Sequence, residues 1–289
     1  MAIDNKTLKP FQLSGSIALY RNSPHQVRGA IESFFAGAPS ALLTIVDNSP
    51  NDTLRSVVEP LGARYVFTGR NLGFGGGHNL AVQRHPQTSK YHLFLNPDVT
   101  FGPETLPALY CFMDHNPTVG LAMPKVFYPD MTEQKLCKLL PTPADLFLRR
   151  FAAGLGNKHL PSRMARYLLQ DIDLTRPHFV PNLSGCFMFV RTEALRTSGL
   201  FDNRYFLYLE DVDLCRRIAE RWDTVFYPGA TIVHEYGNKS YRDLRHLQLH
   251  AASAIRYFNK WGWLHDPIRV RLNARTFDRS LSYLDCPQG

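Results

Sequence analysis

The chain has 289 residues, 44% of them hydrophobic and 20% charged, with a formal net charge of +8 and a pI near 9.3. This composition excludes a disordered or fibrous protein and leaves room for one large or two small domains with a substantial core. The positive charge calls for an anionic partner, for which nucleic acid, a phosphorylated small molecule and an acidic membrane surface all qualify.

Near the N-terminus, Ser16–Tyr20 reads as a buried strand followed by a turn, and Val27, Ala30, Ile31 and Phe34 then fall at helical spacing. Ala41–Val46 is a second apolar strand, ending in Asp47. Its carboxylate can close an Asx turn or face a ligand beyond the strand. Continuous apolar strands alternating with helices predict a mostly parallel sheet covered on both faces. A helix over Thr53–Leu61 and a strand over Tyr65–Phe67 lead to Gly69–Asn79, which holds five glycines. The expectation there is a ligand-facing loop, with a helix over Asn79–Arg84 presenting its N-terminus to phosphate. The fourth strand, Tyr91–Leu95, ends in Asn96-Pro97-Asp98, where Asp98 could hold a hard divalent cation or simply lead the helix from Pro103 to His115. Strand Leu121–Val126 follows.

Residues 131–180 break the pattern. Arg149, Arg150, Lys158, His159, Arg163 and Arg166 lie among Leu146, Phe147, Phe151, Leu155, Met164 and Tyr167. Such a mixture fits an amphipathic surface on anionic lipid, or a helical subdomain packed on the sheet. The strand pattern resumes at Gly185–Val190, with a short helix from Thr192. In RYFLYLEDVDLCRR (204–217) an aromatic run gives way at Glu210-Asp211 to helical spacing. Asp211 there shares a face with Leu214, Cys215 and Ile218, and Asp213 is expected to form an exposed ion pair with Arg217. Glu210 and Asp211 can cap this helix or serve a cleft. Thr224–Tyr227 and Ala230–His234 read as two short strands, and the tail from Tyr241 as helical, basic and aromatic, with Tyr257, Phe258, Trp261 and Trp263 suited to a membrane surface. Five scattered cysteines (Cys111, Cys137, Cys186, Cys215 and Cys286) without CxxC pairs predict a reducing compartment, no disulfide framework and no zinc site. With no signal-peptide pattern and no window near the ~20 apolar residues of a membrane span, a cytoplasmic protein is expected.

Six segments in order, SIALYRNS, IVDNSPND, NLGFGGGHN, LFLNPDV, SGCFMFVR with GLFDNRYFLYLEDVDLCRR, and VHEYGNKS, resemble the family 2 glycosyltransferases, including bacterial rhamnosyltransferases of surface polysaccharide (O-antigen type) assembly. The resemblance implies a GT-A fold, an α/β Rossmann-like mostly parallel sheet. It would comprise a catalytic domain over residues 1–240, with residues 131–180 as an acceptor- or membrane-facing helical insertion, and a helical extension over 241–289. It further implies that Tyr20, Asp47, Asn71, Gly75, Asn96 and Asp98 bind the nucleotide sugar. Asp98 and His234 would ligate a divalent cation, Mg2+ or Mn2+, and Asp211, beside Glu210, would act as catalytic base. Asn96 stands where the family's metal motif usually has a first acidic residue. The implied reaction is an inverting transfer, of L-rhamnose from dTDP-rhamnose or of a hexose from a UDP-sugar, to a lipid-linked or polysaccharide acceptor at the inner face of the cytoplasmic membrane. A basic nucleic-acid-binding module and a nucleotide-binding protein without catalysis are the competing readings from other classes. The absence of RNP, HTH and KH signatures argues against nucleic acid.

Overall fold

The computed structural model describes residues 12–84, 89–152, 162–235, 244–278 and 280–286. In chain order the first half is β1 (Leu13–Leu19), α1 (Pro24–Gly37), β2 (Leu42–Asp47), α2 (Arg55–Val58) with a 3-10 turn, β3 (Arg64–Phe67), α3 (Gly73–Arg84), β4 (Tyr91–Leu95), β5 (Val99–Thr100), α4 (Thr105–His115) and β6 (Val119–Phe127). Next come α5 (Pro143–Ala152), α6 (Ser162–Tyr167), β7 (His178–Phe179), β8 (Phe187–Arg191), α7 (Thr192–Ser198), α8 (Glu210–Ala219), β9 (Asp223–His234), α9 (Leu244–Trp261) and α10 (Pro267–Arg275).

One mixed sheet runs β3-β2-β1-β4-β8-β6-β9-β5, with β7 also paired to β9. Strands β1, β2, β3, β4, β6 and β9 point the same way, and β5, β7 and β8 oppose them. Period-2 alternation sends successive side chains to opposite faces. On β4, Tyr91, Leu93 and Leu95 join the core beneath α1 and α4, while Phe94 joins the core beneath α7 and α8. Helices therefore cover both faces, as the continuous apolar strands predict.

Four expectations change. The glycine-rich stretch is not a loop, because α3 begins at Gly73 rather than Asn79. Gly73 sits at φ +76°, and a Cβ there would meet the Phe206 carbonyl oxygen at 2.1 Å. A Cβ on Gly75 would meet Phe201 Cβ at 2.8 Å, so these glycines admit the chain's own 201–206 segment. The two short strands around Pro228-Gly229 form one strand, β9, whose pairing with β6 shifts register between Pro124 and Lys125. Asp213 is buried rather than exposed, because α9 covers that side of α8. Finally, Cys111 and Cys286 are disulfide-bonded across 175 residues, against the expectation of no disulfide, while Cys137, Cys186 and Cys215 are free and buried. The fold brings the C-terminal strap to α4, where the Asn116 side chain exchanges two hydrogen bonds with the Leu284 backbone (2.8 and 2.9 Å).

Much of the basic-apolar segment and the aromatic tail packs inward. Leu146, Met164, Tyr167, Tyr257 and Phe258 are buried, and Arg163 pairs with Asp145 at 2.8 Å. Phe147, Trp263 and Leu264 remain exposed, Leu264 by 93%. Leu155, Lys158, His159 and residues 236–240 of the last motif lie outside the described residues. No described helix is long and apolar enough to cross a membrane.

Candidate active site

The carboxyl ends of β2, β1 and β4 and the entry to β8 lie side by side in the sheet. At ~4.8 Å per strand, the edge from β2 to β8 spans roughly 14 Å, about the length of an extended nucleoside diphosphate. Ligands of open α/β sheets bind beyond such edges.

Asp47 ends β2 and is fully buried. Its Oδ1 accepts the Ser49 N–H (2.8 Å), which makes the Asx turn, and its Oδ2 accepts the Tyr65 hydroxyl (2.6 Å). Burial and this bond to Asp47 raise the Tyr65 pKa. Tyr20, just past β1, is 42% exposed beside Arg21, whose φ is +56°. Asn71 Oδ1 accepts the Gly73 N–H (2.9 Å) and closes the entry to α3, while Asn48 Nδ2 donates to the Gly73 carbonyl (3.1 Å). Asn71 and Gly75 thus both have intramolecular partners.

Beyond β4, the Asn96 N–H donates to the Cys186 carbonyl (2.9 Å), and Asp98 meets the end of β9, where the Glu235 N–H donates to the Asp98 carbonyl (2.9 Å). Register pairing of Val99 with His234 sets the imidazole against the Asp98 carboxylate, Nε2 to Oδ1 3.4 Å. That distance is within ion-pair range, yet Oδ1 is buried without an aligned hydrogen bond. Gln134 explains the ring's orientation. Its Oε1 lies 3.1 Å from His234 Nδ1 and its Nε2 donates to the His234 carbonyl (2.7 Å). Nδ1 is therefore the donor toward Gln134, and Nε2 faces the Asp98 carboxylate. Carboxylate oxygen and imidazole nitrogen together suit Mg2+ or Mn2+.

Asp211 stands in the first turn of α8. Its Oδ2 accepts the Gly185 N–H (3.0 Å) and its Oδ1 accepts the Val212 N–H (2.8 Å), so each oxygen keeps a lone pair for another donor. Since Gly185 adjoins Cys186, the carboxylate is tied to the same edge as Asn96. Glu210 differs from its neighbour: it is 5% exposed, and its Oε2 has no hydrogen-bond partner. Burial first, and then the Asp211 charge, push its pKa well above the usual carboxylate range.

Tyr208 and Leu209, at φ +72° and +64°, lead into α8 through consecutive left-handed residues. Each such non-glycine residue costs on the order of 1 kcal/mol. Contacts from α9 hold the turn: Ser253 Oγ donates to the Leu207 carbonyl (2.8 Å), and the Tyr208 hydroxyl meets His246 Nδ1 (2.8 Å).

The structure thus collects Asp47, Tyr20, Asn96, Asp98, His234 and Asp211 along one edge from distant parts of the sequence. Residues 17–199 match the model of glycosyl transferase family 2. The chain belongs to that family. Asp211 and His234 lie beyond the matched stretch. The chain is 28% identical over 276 residues to the N-acetylglucosaminyl-diphospho-decaprenol L-rhamnosyltransferase of Mycobacterium tuberculosis, covering 90% of this chain and 89% of the relative. It is 24% identical over 264 residues to rhamnosyltransferase WbbL of Escherichia coli, covering 88% and 92%. Its fold is similar to that of the mannosyltransferase PcManGT from Pyrobaculum calidifontis, solved with GDP-Man and Mn2+ (TM-score 0.56, 15% identity, 91% of this chain and 73% of that one). The fold is of GT-A type and the protein is a glycosyltransferase.

Gln134, Tyr65 and Asn48 are neighbours of the site that sequence reasoning missed. Asn48 lies within the IVDNSPND segment beside Asp47, whereas Tyr65 and Gln134 lie in no motif and only the packed chain reveals their roles.

Proposed function

We propose that this enzyme transfers L-rhamnose, with inversion, from dTDP-rhamnose to a lipid-linked or growing polysaccharide acceptor. The observation that carries the reading is the placement of Asp211 on the same strand edge as the Asp98–His234 pair, in a family 2 chain whose relatives include two rhamnosyltransferases. Asp211 accepts the proton of the acceptor hydroxyl as its oxygen bonds to the anomeric carbon. The bond from that carbon to the donor diphosphate breaks on the opposite face, and the nucleoside diphosphate leaves with the electron pair. Asp98 and His234 would hold a divalent cation, which would supply positive charge for the departing diphosphate. Asp47 and Tyr65 lie at the nucleoside end of the edge, with Tyr20, Asn71 and Asn96 lining the path and Gly75 backing it. Phe147, Trp263 and Leu264 supply an exposed apolar contribution to docking on an anionic membrane.

A donor screen tests this reading. With Mg2+ or Mn2+ present, dTDP and dTDP-rhamnose should raise the unfolding temperature, and dTDP-rhamnose should be hydrolysed faster than UDP-hexoses. Preferential hydrolysis of a UDP-hexose would overturn the donor assignment, and co-sedimentation independent of anionic lipid would overturn the docking.

A further inference from the structure

The C-terminal strap returns to α4 and seats Cys286 against that helix. Asn116 Oδ1 accepts the Leu284 N–H (2.9 Å), Asn116 Nδ2 donates to the Leu284 carbonyl (2.8 Å), and the Tyr283 ring centroid lies 6.5 Å from that of Phe112. Cys286 Sγ is 3.6 Å from the Ala108 carbonyl, one turn before Cys111. These contacts keep Cys286 beside Cys111 independently of the bond between the two sulfurs. A third metal-ligating group joins them. His115 follows Cys111 by four residues on α4, so the two side chains share a face, and its Nδ1 is 3.6 Å from Cys111 Sγ. The three donor atoms lie within 4.8 Å of one another, with Cys111 and Cys286 half-buried and His115 exposed. A tetrahedral zinc ion with ordinary bonds to sulfur and nitrogen needs about 3.6 Å between a sulfur and a nitrogen and about 3.8 Å between two sulfurs. The first spacing is already present, and a Cα separation of 6.0 Å lets the sulfurs reach the second once they are unbonded. The last turn of a helix also favours a cation, because its carbonyls carry partial negative charge. Since α4 leads into the start of β6, the cluster lies at the sheet edge opposite Asp98.

We infer that Cys111, His115 and Cys286 form a Zn2+ site in the dithiol state of the chain, and that the ion takes over from the disulfide in fastening the strap to α4. A dithiol reductant opens the Cys111–Cys286 bond by exchange, becoming a disulfide itself and leaving two thiols. Each thiol loses its proton as its sulfur bonds Zn2+, His115 contributes the lone pair of Nδ1, and water fills the fourth position. The imidazole then carries its proton on Nε2, and water replaces the 2.9 Å contact between Nδ1 and the Cys111 carbonyl at this exposed position. Two thiolates balance the charge of the ion. Thiolate and imidazole together select Zn2+ over Mg2+, which separates this site from the carboxylate and imidazole of Asp98 and His234. Counting CxxC pairs passes over it, because the ligands are an i,i+4 pair on one helix and a cysteine 175 residues beyond Cys111.

The test reduces the full chain with a phosphine, removes oxygen and titrates with Co2+, a spectroscopic stand-in for Zn2+. The reduced wild type should develop thiolate-to-Co2+ charge-transfer absorption with tetrahedral d–d bands, and Zn2+ should abolish both. Such absorption reports sulfur ligands, so cobalt held by Asp98 and His234 does not contribute to it. The oxidised chain should lack the bands. Cys111→Ser and Cys286→Ser should each weaken Co2+ affinity at least 100-fold. His115→Ala keeps both cysteines and can fold with the disulfide intact, and after reduction it should weaken affinity at least tenfold. Chymotrypsin should cut the strap at Leu281 and Tyr283 at least tenfold faster in the reduced, metal-free wild type than in either the oxidised or the zinc-loaded form. Absence of the bands from the reduced wild type would overturn the site. So would bands unchanged in both serine variants, which would assign them to Cys137, Cys186 or Cys215, or affinity unchanged in His115→Ala. Equal cleavage of the reduced strap with and without Zn2+ would overturn the fastening.

Discussion

In its first turn α8 carries Glu210, with Oε2 buried and without a partner, and Asp211, with each oxygen holding one N–H and a lone pair to spare. Farther along and on its other side, Asp213 accepts from Arg217 (2.8 Å), Lys260 (2.7 Å) and Trp261 (2.8 Å), and Arg216 makes a bidentate pair with Asp266 (2.7 and 2.6 Å) while stacking 4.0 Å from Trp261. The contrast separates stability from chemistry within ten residues. Where α8 meets α9 and α10, the carboxylates Asp213 and Asp266 are each paired with cations, although Arg216 Nε and Arg269 Nη1 make no hydrogen bond. Where it meets the strand edge, capacity for hydrogen bonds and charge is left over, as is also true of Asp98 Oδ1. A fold can retain such unmatched groups only if neighbouring contacts outweigh their cost.

Substitutions on the two sides should therefore fail in different ways. Asp211→Asn removes the proton acceptor with little change in volume, so turnover should fall about 100- to 10,000-fold with the unfolding temperature nearly unchanged. More than a tenth of wild-type turnover would leave Asp211 as a helix cap. The converse is Arg216→Met, which strands Asp266 in the interior and should cost about 3–5 kcal/mol, lowering the melting midpoint by roughly 6–15 °C. Below its melting point this variant should still bind nucleotide; loss of binding in a folded sample would break the separation.

The Asp98–His234 pair sharpens the site side. Asp98→Ala and His234→Ala should each remove the cation-dependent part of nucleotide binding. Gln134→Leu, which frees the imidazole without deleting it, should weaken cation affinity about 10- to 100-fold. Full turnover in excess EDTA would reassign Asp98 and His234 to direct contact with the donor.

The smallest effect is a pH dependence. Because the folded state raises the Glu210 pKa, its neutral form contributes fully below the unfolded value of about 4.3 and that contribution is lost as pH rises toward the folded value. Wild-type stability should thus decline relative to Glu210→Gln as pH rises above about 4, by no more than about 1.4 kcal/mol per pH unit. Parallel stability curves would mean that Glu210 is solvated as an ordinary carboxylate.

Apolar runs and their spacing were enough to mark β1, α1, β2, β4, α4 and α8 within a few residues, because burial on one or both faces writes a period into the local sequence. The strand-end positions of Asp47, Asp98 and His234 were legible for the same reason: a polar residue that closes an apolar run lies at an edge. Tertiary structure alone decided what those residues meet. Gln134 reaches His234 across 100 residues, and Lys138 pairs with Asn182 through a single bridge. The sequence misplaced Asp213 because helical periodicity assigns a residue to a face but not the element that covers it, and α9 arrives 47 residues later with Lys260. It misread the glycines of α3 for a related reason: a residue without a side chain marks a close approach, and only the packed chain shows that Phe206 and Phe201 make it. The bond between Cys111 and Cys286 is likewise invisible to spacing, since the return of the strap to α4 sets it.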